Sequence, residues 1–163
     1  MIFATLGNES REFKRMADLL IFISRNLSKE EIFFQNGHTA INSKTPANLK
    51  FQKFISKEMF KEKLNNSRVV ITHAGAGTLL QCMESNIVPL VIPRRYELHE
   101  HLNNHQLEIL NEFSKKNLCI NIDKMKKKEI LNILNNKPNF TRTNFTPKNL
   151  LLKELKKTII NEQ

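Results

Sequence analysis

The run Val69-Val70-Ile71-Thr72-His73-Ala74-Gly75-Ala76-Gly77-Thr78 constrains this chain most, because it sends a buried strand straight into a small-residue turn and a helix. Three consecutive β-branched residues without polar alternation suit a parallel strand covered on both faces. Gly75 and Gly77, with only Ala76 between them, let backbone N–H groups approach a ligand that larger side chains would hold off. A helix starting at Thr78 and running on through Leu79-Leu80-Gln81-Cys82-Met83-Glu84 would turn its positive dipole end toward the same point. Pro89-Leu90-Val91-Ile92-Pro93 adds a second short strand. Strand, loop, helix, strand is half of a Rossmann-like unit, with the outline of a phosphate site in its first loop. The same residues also fit an ordinary α/β turn, whose glycines serve only chain reversal and helix-to-sheet packing. Neither common nucleotide motif is complete, since the Walker lysine and the third glycine of the dinucleotide fingerprint are both missing.

The rest of the chain repeats the theme. Residues 1–6 read as a strand ending at Gly7-Asn8, and Phe13, Met16, Ala17, Leu20, Ile21 and Ile23 mark an amphipathic helix. Residues 31–35 form the next strand, stopped by Asn36-Gly37, and residues 49–54 another. A helix over residues 56–64 breaks at Asn65-Asn66-Ser67. After Pro93 come a polar loop, a helix over residues 106–113, a strand over residues 118–122 and a helix over residues 127–134. Helix and strand alternate throughout, which predicts one α/β, Rossmann-like domain over residues 1–134. Its sheet is mainly parallel, of about six strands, with helices on both faces. Ligands on such sheets sit at the carboxyl ends of the strands, where both the Gly7-Asn8 and the Gly75-Ala76-Gly77 turns fall. Residues 135–163 read as a linker and a C-terminal helix, with an apolar stripe of Leu150, Leu151, Leu155, Ile159 and Ile160. That stripe either folds back on the domain or docks a partner chain or membrane face.

Composition narrows the function classes. No apolar run approaches the roughly 20 residues that span a bilayer, and the first residues lack a signal peptide's basic segment, so the expected location is cytoplasmic. Cys82 and Cys119 fall in predicted elements and read as small buried hydrophobes. The formal charge is +10, of which residues 123–163 carry +6. Such a surface could meet nucleic acid, anionic lipid, a nucleotide-bearing substrate or an acidic partner. With one Tyr, no Trp and no aromatic-interleaved RNA motif, nucleic acid is the least supported.

Three blocks together resemble a known family: residues 72–78, then Pro89-Leu90-Val91-Ile92-Pro93-Arg94, then Glu100-His101-Leu102-Asn103-Asn104-His105-Gln106-Leu107-Glu108. In this order and spacing they are similar to the family 28 glycosyltransferase C-terminal domain, the C-terminal half of a GT-B fold. Over residues 1–134 the chain resembles the small soluble subunits of split GT-B enzymes, both the bacterial PssE type and those acting on dolichol-linked sugar. The resemblance implies the donor-binding catalytic subunit of a heteromeric, inverting transferase that uses a UDP-sugar. A membrane-associated partner subunit would supply the site for a lipid-linked saccharide acceptor and recruit the chain to the cytoplasmic face of the membrane. Surface polysaccharide or oligosaccharide biosynthesis is the implied setting. A non-catalytic regulatory or scaffolding subunit of the same fold is the alternative, and a basic nucleic-acid-binding domain a third.

Mapped onto this chain, the backbone at Gly75, Ala76, Gly77 and Thr78 would hold the pyrophosphate, with Gly7 and Asn8 lining the facing turn and His73 beside it. Gln81 stands where relatives carry a glutamate that grips the ribose. It can still hydrogen-bond a diol, but without charge. Glu84, a turn away, is either the ribose ligand or a solvated charge. Asn104, His105 and above all Gln106 would meet the donor's sugar or phosphates. No cofactor and no metal are expected, because the two aspartates, Asp18 and Asp123, form no Asp-x-Asp pair. Arg94 and Arg95 read as surface charge or lipid-headgroup contacts ahead of phosphate ligands. His38, His73, His99, His101 and His105 offer no assignable catalytic base, and Glu100 and His101 are loop candidates for donor contact.

Overall fold

Residues 1–41 and 44–136 are described by the structure, a computed structural model of the chain. Strand β1 (Ile2–Thr5), helix α1 (Lys14–Asn26) and strands β2 (Ile32–Gln35) and β3 (Leu49–Gln52) come first. Helix α2 (Lys57–Asn66), β4 (Val69–Thr72), α3 (Ala76–Glu84) and β5 (Leu90–Val91) follow. A 3-10 turn (Tyr96–Leu98), α4 (His105–Lys115), β6 (Ile120–Asn121) and α5 (Lys127–Asn135) complete the described chain.

All six strands pair in parallel, in the order β3-β2-β1-β4-β5-β6. From β1 the chain winds outward to β3, then crosses back to lay β4 on the other side of β1. This doubly wound order opens a crevice at the carboxyl ends of β1 and β4. Strands β1, β2 and β4 are buried at every position, because helices cover both faces. Ile2, Ala4 and Leu6 pack with Met16, Leu20 and Ile23 of α1 and with Ile130 and Leu134 of α5. Phe3 and Val70 face the other way, onto Leu64 of α2 and Cys82 of α3. On that second side Leu79 and Met83 meet Leu110 and Phe113 of α4. At the edge, β3 buries only Leu49 and turns Lys50 and Gln52 outward, which discourages pairing with another chain.

The predicted α/β architecture holds, with local differences. Among the described residues no helix separates β2 from β3, so the alternation is not strict there. Helix α3 begins at Ala76 rather than Thr78, because Gly75 adopts an extended N-cap conformation. The last strand shrinks to Ile120–Asn121, and the polar loop after β5 contains a 3-10 turn. Both cysteines are buried, as expected. The C-terminal helix expected beyond Pro147 lies outside the described residues. Among those described, no helix is long and apolar enough to cross a membrane.

Candidate functional site

The register between β1 and β4 sets Thr5 beside Thr72, so the turns that leave these strands meet on one rim. Thr72 Oγ1 donates to Thr5 O at 3.1 Å, while Thr5 Oγ1 donates to Gln35 Oε1 at 2.6 Å and accepts from Gly7 N at 3.2 Å. The two turns are bridged by one side chain. His73 lies 7% exposed with its imidazole between Gly7 and Gly75. A Cβ on Gly7, which has φ +65°, would stand 2.8 Å from His73 Cε1. One on Gly75 would overlap His73 Nε2 and lie 2.9 Å from Cδ2. Both positions therefore need glycine to house the ring, a packing reason beside the backbone access read for Gly75 from sequence. Only at Gly77 does packing not explain the missing side chain, since a Cβ there would meet nothing within 4 Å.

Because Thr72 Oγ1 spends its proton on Thr5 O, it accepts in its 3.3 Å pair with His73 Nδ1. That places the ring proton on Nδ1 and leaves Nε2 bare. Burial, reinforced by the positive charge of Arg94, pushes this imidazole down to about 4. His73 is thus a neutral wedge at pH 7.

Helix α3 starts on the open side of this wedge. Its N-cap, Gly75, offers no side-chain cap, and its first turn holds no acidic residue. The first N–H groups of a helix have no partner within it, so those of Ala76, Gly77 and Thr78 point out at the rim with the dipole behind them. Asn8 and Gly77 are exposed and Thr78 half-buried. Gln81 and Glu84 are exposed further along α3. Glu84 is the helix's last residue, about 12 Å along the axis from Ala76, and so stands at the end away from the turns.

The third block lies where the chain leaves β5. Arg94 is 1% exposed, which overturns its reading as surface charge: it bonds backbone carbonyls of both rim loops and stacks on Phe13. Arg95 pairs with Asp123, and Asp123 also with Arg15 at 3.1 Å. Arg95 is thereby tied into an ion network rather than standing as a free surface charge. Arg15 in addition grips Glu100 through two bonds of 2.8 and 2.7 Å. Gln106 is buried in the first turn of α4, and its Oε1 accepts from Arg94 N at 2.9 Å. Asn104 closes the loop on itself, to Glu97 Oε1 and Tyr96 N, and His105 pairs with Glu108. His101 reaches across to Glu9 at 3.7 Å. Gly7, His73, Gly75 and Ala76 therefore form one cluster with Gly77 and Thr78, and Gln106 joins it through Arg94. Asn104 and His105 are turned to their own loop. Sequence reasoning missed the clasping roles of Arg94 and Arg15. The available signal was a charged residue directly after a central strand, at the rim where ligands bind.

Comparison with known proteins places this arrangement. The glycosyltransferase family 28 C-terminal domain matches residues 5–159, beyond the residue 134 at which the motif resemblance stops. The UDP-N-acetylglucosamine transferase subunit ALG13 of Candida albicans is 39% identical over 57 residues, 35% of this chain and 18% of that protein. Among solved structures, the kitacinnamycin glycotransferase superposes with a TM-score of 0.61 at 13% identity, over 96% of this chain and 38% of its own. MurG of Acinetobacter baumannii gives 0.56 at 21% identity, over 82% of this chain and 40% of its own. At such identities the likeness concerns the fold, and the chain spans less than half the length of each of these relatives. With the family match covering nearly the whole sequence, and with the doubly wound sheet that carries its motif blocks to one rim, this chain belongs to the glycosyltransferase family 28 C-terminal domain family.

Proposed function

We propose that this chain is the donor-binding part of a glycosyltransferase that moves a sugar from a UDP-sugar to a lipid-linked acceptor. A membrane-associated partner subunit supplies the acceptor site and brings the chain to the cytoplasmic face of the membrane, in surface polysaccharide or oligosaccharide assembly. The reading rests on one observation above all: the uncapped N-terminus of α3 and the Gly7 turn share a rim at the switch point of the sheet. Departure of UDP leaves negative charge on the diphosphate, and the α3 amides and dipole are aimed at that charge. Gly77 lets the phosphates come close, and Thr78 adds a hydroxyl. Gln81 meets the ribose from one helical turn further on, and Gln106 meets the sugar with the N–H end of its amide. The Candida relative, a subunit of a UDP-N-acetylglucosamine transferase, supports the donor class and the subunit arrangement. His73 Nε2 is enclosed by Gly7 and Gly75, so His73 is not the base, and in this reading the acceptor hydroxyl loses its proton to a group on the partner's side. The reading requires no cofactor or metal.

Calorimetry with UDP, UDP-N-acetylglucosamine and other UDP-sugars tests it, on the wild type and on Gly77→Asp. Aspartate at that position suits a helix's first turn and meets open space, so the fold stands. Its charge opposes the diphosphate, and UDP affinity is expected to fall by about tenfold or more. A wild-type chain that binds no uridine nucleotide would reject the reading. Gln81 in place of an acidic residue favours a second one, a non-catalytic subunit. It predicts that the pair reconstituted with its partner binds UDP yet transfers no sugar.

A further inference from the structure

Behind the Gly7 turn, Arg94 keeps a charge out of water with neutral groups for company. Nη1 donates to Arg11 O at 2.8 Å and Glu100 O at 3.2 Å, and Nη2 to Leu6 O at 3.4 Å. The guanidinium carbon stands 4.9 Å over the Phe13 ring, and Nε is buried without a partner among the described residues. The carboxylates whose field reaches it, Glu9 and Glu100, are themselves paired with Arg11 and Arg15. Burial lowers the guanidinium to about 10. A buried cation held only by dipoles is costly unless negative charge compensates it. Its carbonyl partners belong to two different rim loops, residues 6–13 and 94–104. Leu6 O leads directly into Gly7, and the same cation depresses His73, so the charge acts on the mouth of the crevice.

We propose that Arg94 is a positioning residue for a phosphate-bearing ligand: it clasps the loops after β1 and β5, and its enclosed charge is balanced across the Gly7 turn by the ligand's phosphates, without contact. The proposal deepens the donor-site reading and rests on it, assigning the phosphate-specific part of affinity to a residue behind the site.

The full chain, with Arg94→Gln and Arg94→Lys, is to be titrated with UDP by calorimetry and with uridine by NMR. In Arg94→Gln the UDP affinity should drop about tenfold or more while that for uridine stays within about twofold, and Arg94→Lys should fall between. Equal loss of both ligands would overturn the proposal, since a merely structural clasp affects them alike. No UDP binding by the wild type would instead bring down the donor-site reading itself. Should Arg94→Gln fail to fold, inorganic pyrophosphate decides. It should raise the melting temperature of the wild type, and less that of Arg94→Lys. A wild type that binds UDP but is not stabilised by pyrophosphate sinks the proposal.

Discussion

His73 shows how one buried side chain decides the identity of its neighbours. Gly75→Ala must push the ring out of place and is expected to cost about 1–3 kcal/mol in urea denaturation. Much of that loss should disappear when the substitution is made in a His73→Ala background, which gives a coupling energy of about 1 kcal/mol or more. The same ring confers a pH dependence. In the unfolded chain it takes up a proton near 6.5, and in the folded protein only near 4. The unfolded state therefore binds more protons between those values. The stability due to the neutral ring is complete above the upper value and falls as the pH drops through the window, by about 3 kcal/mol in all. Stability curves of the wild type and His73→Gln at several pH values should diverge accordingly, the variant lacking that part of the slope.

Among the helices, α2 and α3 begin differently. Ser56 Oγ accepts from Met59 N at 3.1 Å and closes the start of α2, so Ser56→Ala should lose about 1 kcal/mol of stability by denaturant titration. Helix α3 carries no such cap. This difference was legible in the sequence, where serine precedes one helix and glycine the other. So were the buried strands, because Val69-Val70-Ile71 and Ile2-Phe3-Ala4 have no polar alternation to betray a solvent face. The early start of α3 was not, since it depends on a local backbone choice at a Gly-containing turn. Of the candidate site, the glycine turns could be read directly. The wedge at His73 and the clasp at Arg94 could not, because a histidine or arginine in a string of letters does not reveal which carbonyls and turns will enclose it.

Across the molecule, the loops that frame the rim are joined by charge. Arg15 of α1 links Glu100 from the loop after β5 to Asp123 just past β6, and both carboxylates are nearly buried, at 7% and 5% exposure. Arg15→Met takes the cation from Glu100 and leaves Asp123 to Arg95 alone, and a loss of about 1–3 kcal/mol is expected. Lys14→Met, removing an exposed pair with Glu12, should stay within about 0.5 kcal/mol in the same urea titrations. The winding order has a consequence for biosynthesis. Strand β1 sits between β2 and β4, with Ile2 paired to Ile32 on one flank and to Val69 on the other. On the ribosome, at about 5–20 residues per second, the second flank of β1 waits several seconds for its neighbour to be made. During that interval an apolar strand shows an open edge to chaperones and to other nascent chains, and a product released before Thr72 would carry only one lip of the crevice.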